Sequence, residues 1–232
     1  RVTVEALEDG SARIFAQGIG GHASLPEGTI NAIALVVGYL REVAVARPEL
    51  FAAQERAFLD LLACVHEDTA GRGLGIASES AAFGPLTCNA GTIEVVDGRI
   101  LQTIDVRFPD SITADEMRMI CNATAAQYGA EFCQGSVKEP FSVSADSPCV
   151  QALLNVYRQV TGRTAEPFSM GGGTYARNFA SAVSFGPEDN SLELPVWAGT
   201  MHGPNEAANE ALLRDALKIY ILALLRLNEL DL

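Results

Sequence analysis

Apolar and polar residues alternate over residues 2–7 and again over 12–16, on either side of Asp9-Gly10. Period-two alternation predicts strands buried on one face, and an Asp-Gly pair between two such runs predicts a β-hairpin. The signature recurs at 92–96 and 100–108, around Asp97-Gly98. Between the hairpins the period becomes helical. Asn31 opens a run to about Ala44 with Ile33, Val36, Val37 and Leu40 on its apolar side. A second helix is predicted over 49–66, with a stripe of Phe51, Phe58, Leu61 and Leu62. His66 then falls at its C-terminus, where the helix dipole favours a cation. Thr113 and Glu116 form a capping box for a third helix, with Met117, Ile120, Cys121, Thr124 and Tyr128 along one face.

Hairpin, helix, hairpin, helix predicts an α+β layer, four mainly antiparallel strands with helices on one face. Residues 130–137 read as a connecting strand, and Lys138-Glu139-Pro140 as a boundary. Beyond it the pattern changes. Ser147-Pro148 starts a helix to Thr161, with Val150, Leu153, Leu154, Tyr157 and Val160 inward and Gly162 as its stop. A triple glycine, a short helix and a buried strand at 182–185 follow. Asn209 caps a closing helix carrying Leu213, Leu217, Tyr220, Leu224 and Leu227. Helices alternating with strands predict part of an α/β domain, whose remaining strands are expected upstream of Arg1. The chain opens inside a strand pattern without an initiator Met, and so reads as the later part of a longer protein.

Composition narrows the function. The 232 residues suffice for one large or two small domains. A net charge of −13 argues against nucleic acid and against anionic membrane surfaces as partners. No apolar run approaches the length of a membrane span. The five cysteines, Cys64, Cys88, Cys121, Cys133 and Cys149, are scattered and include no Cys-x-x-Cys. That fits reduced thiols and a cytoplasmic location rather than a disulfide framework or a zinc ribbon.

The chemistry-bearing stretches are few. Gly171-Gly172-Gly173-Thr174-Tyr175-Ala176-Arg177 brings glycine backbone, which reaches positive φ and admits a ligand close to its N–H groups, ahead of Met201-His202-Gly203-Pro204-Asn205-Glu206. Gly20-Gly21-His22-Ala23-Ser24-Leu25-Pro26-Glu27-Gly28-Thr29-Ile30-Asn31-Ala32 is a loop leading into a helix. Asp105-Val106-Arg107-Phe108-Pro109 ends the last strand of the second hairpin. In this order, over nearly the whole chain, these four stretches resemble the M20 family of metallopeptidases, and within it the PepV-like and carnosinase-like dipeptidases.

The resemblance implies a lid domain at 1–137, with a helical insertion at about 46–88, and the C-terminal portion of an α/β zinc-peptidase catalytic domain at 138–232. It implies that His202 is a zinc ligand and that His22 stabilises the oxyanion at the scissile carbonyl. It implies that Arg107 binds the substrate carboxylate and that Gly172, Gly173 and Thr174 line the pocket. Glu206 and Arg177 would act in support. Two zinc ions would serve the complete site. The family's His-x-Asp, bridging Asp, Glu-Glu and further Asp ligands have no counterpart here, so this chain alone is expected to bind zinc weakly at most and to be inactive. Three roles stay open: hydrolysis of dipeptides, deacylation of acyl-amino acids, and a non-catalytic module or homodimer formed through the lid.

Overall fold

The computed structural model describes residues 1–21, 23, 26–186, 193, 195–199 and 204–230, which fall into two compact units, Arg1–Pro140 and Phe141–Leu232. In the first unit β1 (Val2–Ala6) and β2 (Ala12–Ala16) pair antiparallel, Val4 opposite Ile14. The Asp9 carboxylate closes their turn, accepting from Ser11 Oγ at 2.6 Å and from Ser11 N at 2.9 Å. The chain then enters α1 (Ala32–Ala46), a 3-10 turn at Pro48–Leu50 and α2 (Ala53–Val65), which packs on α1. Two short strands, β3 (Glu79–Ser80) and β4 (Gly84–Pro85), precede the long hairpin of β5 (Thr87–Val96) and β6 (Arg99–Arg107). Asp97 and Gly98 both take positive φ, 50° and 75°, as a tight two-residue turn between right-twisted strands requires.

The unit closes with α3 (Ala114–Gln127), opened by the predicted box. Thr113 Oγ1 accepts from Glu116 N at 3.2 Å, and Glu116 Oε2 accepts from Thr113 N at 2.8 Å. Bonds donated to Glu116 Oε2 by the Thr113 N–H and by the Thr113 hydroxyl hold the Glu116 carboxyl below its usual range. One face of α3, Met117 and Cys121, packs with Leu74, Ile76, Leu86 and Cys88, and half-buried Ile104 and Val106 complete this core. Burial raises the Cys88 thiol to about 12, helped by Cys121, Asp68 and Asp105, and burial alone raises Cys121. All five cysteines are free thiols.

The single four-stranded sheet expected from the sequence is not what the described residues form. β1 pairs only with β2, and β5 only with β6. The register of β5 on β6 slips between Ala90 and Ile93, and such a bulge bends the strand away from further pairing. A side chain makes the link instead. Asn31 caps α1, its Oδ1 accepting from Ile33 N at 2.9 Å and Ala34 N at 3.4 Å, while its Nδ2 donates to Ala90 O at 2.7 Å, beside the bulge. Residues 130–137 also differ from expectation: they are irregular chain after Gly129 ends α3 at φ 70°. His66 does cap the C-terminus of α2, as expected, but its surroundings disfavour the cation. It is half-buried with Nε2 3.2 Å from Gln102 Oε1, and burial pushes its pKa down more than the Gln102 bond raises it.

The second unit is built on α4 (Pro148–Thr161) and α5 (Glu210–Asn228) packed together. Ser147 Oγ caps α4 by accepting from Val150 N at 3.3 Å, and Gly162 ends it at φ 68°. Leu153 and Val156 of α4 meet Ile219 and Ala223 of α5, with half-buried Val183 and Phe185 against them. Residues 182–185 pack there as irregular chain rather than as the expected strand; among the described residues no neighbouring strand offers them a ladder. Tyr220 OH donates to Phe185 O at 3.2 Å. The seam of α5 does not follow Leu213, Leu217 and Leu224. Ala216, Ile219 and Ala223 are buried, whereas Leu213, Leu217 and Leu224 are 51, 64 and 70% exposed. Apolar residues stand on more than one side of the helix, and its alanines take the seam because they let α4 approach closely.

Two outcomes follow for stability. Asn31→Asp keeps the cap acceptor and loses the donor to Ala90, so it should cost about 1 kcal/mol; Asn31→Ala loses both and should cost about 2 kcal/mol. Denaturant midpoints of the two variants check this. Unfolded His66 titrates near 6.5 and folded His66 lower. Its contribution is therefore fully present above pH 6.5 and lost as the unfolded chain takes up the proton first on acidification. Unfolding free energy measured against pH should fall below that point, and His66→Gln should flatten the fall.

Candidate active site

The base of the β5–β6 hairpin is amphipathic by alternation. Cys88, Ile104 and Val106 point into the core, so Thr87, Asn89, Asp105 and Arg107 share the opposite face. Thr87 pairs directly with Arg107, and Asn89 with Asp105. Arg107 leans along its own strand. Its Nη2 donates to Asp105 Oδ2 at 2.9 Å, and its Nε lies 2.8 Å from Asp105 Oδ1. That second contact is an ion pair without a hydrogen bond, because the Nε–H does not aim at the oxygen and is buried with no acceptor. The Thr87 hydroxyl opposite is likewise buried without a partner. The Arg107 side chain as a whole is 37% exposed.

The loop that carries the first histidine motif is closed at its base. Ile19 and Ile30 exchange N–H···O bonds of 2.9 Å, and a Cβ on Gly18 would lie 2.2 Å from Ile30 O. Buried Pro26 accepts from Thr29 N and Oγ1 at 3.1 and 2.6 Å, which shapes the exit into Asn31. His22 itself lies outside the described residues.

In the second unit Gly172, Gly173 and Thr174 form the bend ahead of the 3-10 turn at Tyr175–Asn178. None of the three glycines takes positive φ, contrary to the sequence expectation. A Cβ on Gly173 would lie 3.1 Å from Arg177 Nη1, so half-buried Arg177 lies close over this backbone. Farther on, Gly199 N donates to Asn205 O at 2.9 Å, Gly199 and Glu206 are bridged, and Asn205 takes φ 60°. A Cβ on Gly199 would lie 1.8 Å from Pro204 O. Glu206 is exposed. His202 lies outside the described residues.

Among the described residues no three His, Cys, Asp or Glu side chains converge as a metal site would need, so they do not supply a donor set for zinc. No helix among them is long and apolar enough to cross a membrane. Sequence reasoning singled out Arg107 but missed Thr87. The signal was present, since Thr87-Cys88-Asn89-Ala90 alternates and carries the strand five residues earlier than residue 92.

Residues 5–226 match the model of "Peptidase family M20/M25/M40". The chain belongs to this family. It is 35% identical over 185 residues to "Putative dipeptidase YtjP" of Bacillus subtilis (strain 168), a match covering 78% of the chain and 38% of that protein. It is 31% identical over 220 residues to the "Beta-Ala-Xaa dipeptidase" of Lactobacillus delbrueckii subsp. lactis, covering 93% of the chain and 43% of the relative. A Staphylococcus haemolyticus (strain JCSC1435) protein, "Putative dipeptidase SH1171", is 32% identical over 163 residues, 69% of the chain and 33% of its own length. This M20 chain thus spans less than half the length of these relatives.

The pinched turn before Glu206 gives a direct test. Gly199→Ala forces two backbone segments apart and should cost about 1–3 kcal/mol, whereas Gly186→Ala, whose nearest neighbour is Tyr220 OH at 3.8 Å, should stay within about 0.5 kcal/mol of wild type. Thermal unfolding of both variants distinguishes them.

Proposed function

We propose that the complete protein hydrolyses dipeptides. In this reading residues 1–137 act as a lid and 138–232 as the C-terminal portion of the catalytic domain. Arg107 binds the substrate carboxylate as a planar fork, exchanging the contact with Asp105 that it makes in the free protein for the ligand. His22 donates a hydrogen bond to the oxygen of the scissile carbonyl as it gains charge. The backbone of Gly172, Gly173 and Thr174 lines the pocket, Arg177 braces it, and His202 ligates metal with Glu206 behind it. Zinc, when bound, would supply an activated water. Its remaining ligands would come from outside these residues, so this chain alone binds zinc weakly and does not turn over.

The observation that carries the proposal is the Arg107–Asp105 pair on the polar face of the hairpin, in a chain whose family membership extends over residues 5–226. A guanidinium held at one edge beside unpartnered polar atoms is suited to a small carboxylate rather than to a long polymer. The printed names of the relatives lend support, since each includes dipeptidase. The exposed leucines of α5 support the catalytic-domain assignment, because an outer apolar face on a helix suits cover by further chain.

The test is His22→Ala in the complete, metal-loaded protein, assayed on a dipeptide. Loss of one oxyanion donor is worth about 2.7–4 kcal/mol, so turnover should fall about a hundred- to a thousandfold with little change in the unfolding midpoint. Unchanged turnover removes His22 from the mechanism, and a complete protein that cleaves no dipeptide overturns the reading.

A further inference from the structure

Two groups at the base of the hairpin have complementary hydrogen-bonding needs that the free protein leaves unmet. The Thr87 hydroxyl can accept, the Arg107 Nε–H can only donate, and both are buried without a hydrogen-bond partner. They belong to residues paired directly across β5 and β6, so they rise from the same face about 5 Å apart at Cβ. A strand position with an apolar neighbour on each side would gain by carrying valine, which has the same shape, prefers strands and leaves no hydroxyl unpaired. Threonine at position 87 thus offers a hydroxyl that the packing around it does not use. The group beside it is Arg107. In the free protein its guanidinium is drawn along its own strand to Asp105. To present a flat fork to an incoming carboxylate it must be held from the Nε side by something that is not itself an anion competing for the fork.

We propose that Thr87 is a positioning residue for Arg107: its hydroxyl accepts the Arg107 Nε–H when the guanidinium engages the carboxylate of the substrate. Thr87 does not touch the reacting atoms. It fixes the direction of the fork, so it governs the affinity of carboxylate-bearing ligands and not the rate of bond cleavage. The inference rests on the assignment of Arg107 to the substrate carboxylate.

The experiment uses the complete protein with Thr87→Val, Thr87→Ser and Arg107→Gln, a dipeptide as substrate, and the C-terminal amide of the same dipeptide as a competing inhibitor. Thr87→Val should raise KM for the dipeptide about tenfold, with kcat within about twofold, and Thr87→Ser should restore KM. The inhibition constant of the amide should not move, and the unfolding midpoint of Thr87→Val should equal or exceed that of wild type. If Arg107→Gln raises KM while Thr87→Val does not, Thr87 has no positioning role and the Arg107 assignment stands. If Arg107→Gln leaves KM and the preference for free carboxylate over amide unchanged, the Arg107 assignment falls and the inference with it. A lowered midpoint in Thr87→Val, with dipeptide and amide weakened in parallel and no rescue by serine, would make Thr87 a packing residue and overturn the proposal.

Discussion

Two backbone approaches too close for any side chain hold the chemistry-bearing loops at their bases. At Gly18 the carbonyl of Ile30 occupies the space a Cβ would fill, and at Gly199 the carbonyl of Pro204 does so. Each approach brings the two ends of a loop together. The device is local and inexpensive in sequence, one glycine per loop, but it is unforgiving. A methyl group at either position pushes against peptide backbone, which cannot rotate away as a side chain can.

Each unit is held together by its own contacts. In the first unit the decisive element is Asn31, which uses both ends of one amide. Its oxygen starts α1 and its nitrogen reaches the bulged strand. The ion pairs contribute less. Arg41 with Asp60 and Arg214 with Glu210 join side chains that stand largely in water, where such contacts are worth at most about 1 kcal/mol each. Stability comes instead from the two apolar clusters, one beneath β5–β6 and one between α4 and α5.

Features set by neighbouring residues were legible in the sequence. Asp97-Gly98 announces its turn, Thr113 and Glu116 announce theirs, and Ser147-Pro148 with Gly162 bound α4, because each signal acts within a few residues of itself. Features set at a distance were not. The hairpins could not be seen to remain separate, since that depends on a bulge and on a side chain 59 positions away in sequence. The inward face of α5 could not be chosen because apolar residues stand on more than one side of it, and the winner is decided by what α4 presents. The same division applies to the site. Gly173, Arg107 and the histidine motifs stand out as residue types in order. Thr87 acquires meaning only from lying opposite Arg107 with no partner of its own.

The Arg107–Asp105 pair also shapes how the protein looks from afar. With a net charge of −13 the chain repels anions at long range, although salt screens this beyond about 10 Å. Asp105 lies against Arg107, and a neighbouring charge of opposite sign turns a pole into a short dipole. The field of a dipole dies away faster with distance than that of a lone charge, so this guanidinium does little to offset the surrounding negative potential beyond its immediate neighbourhood.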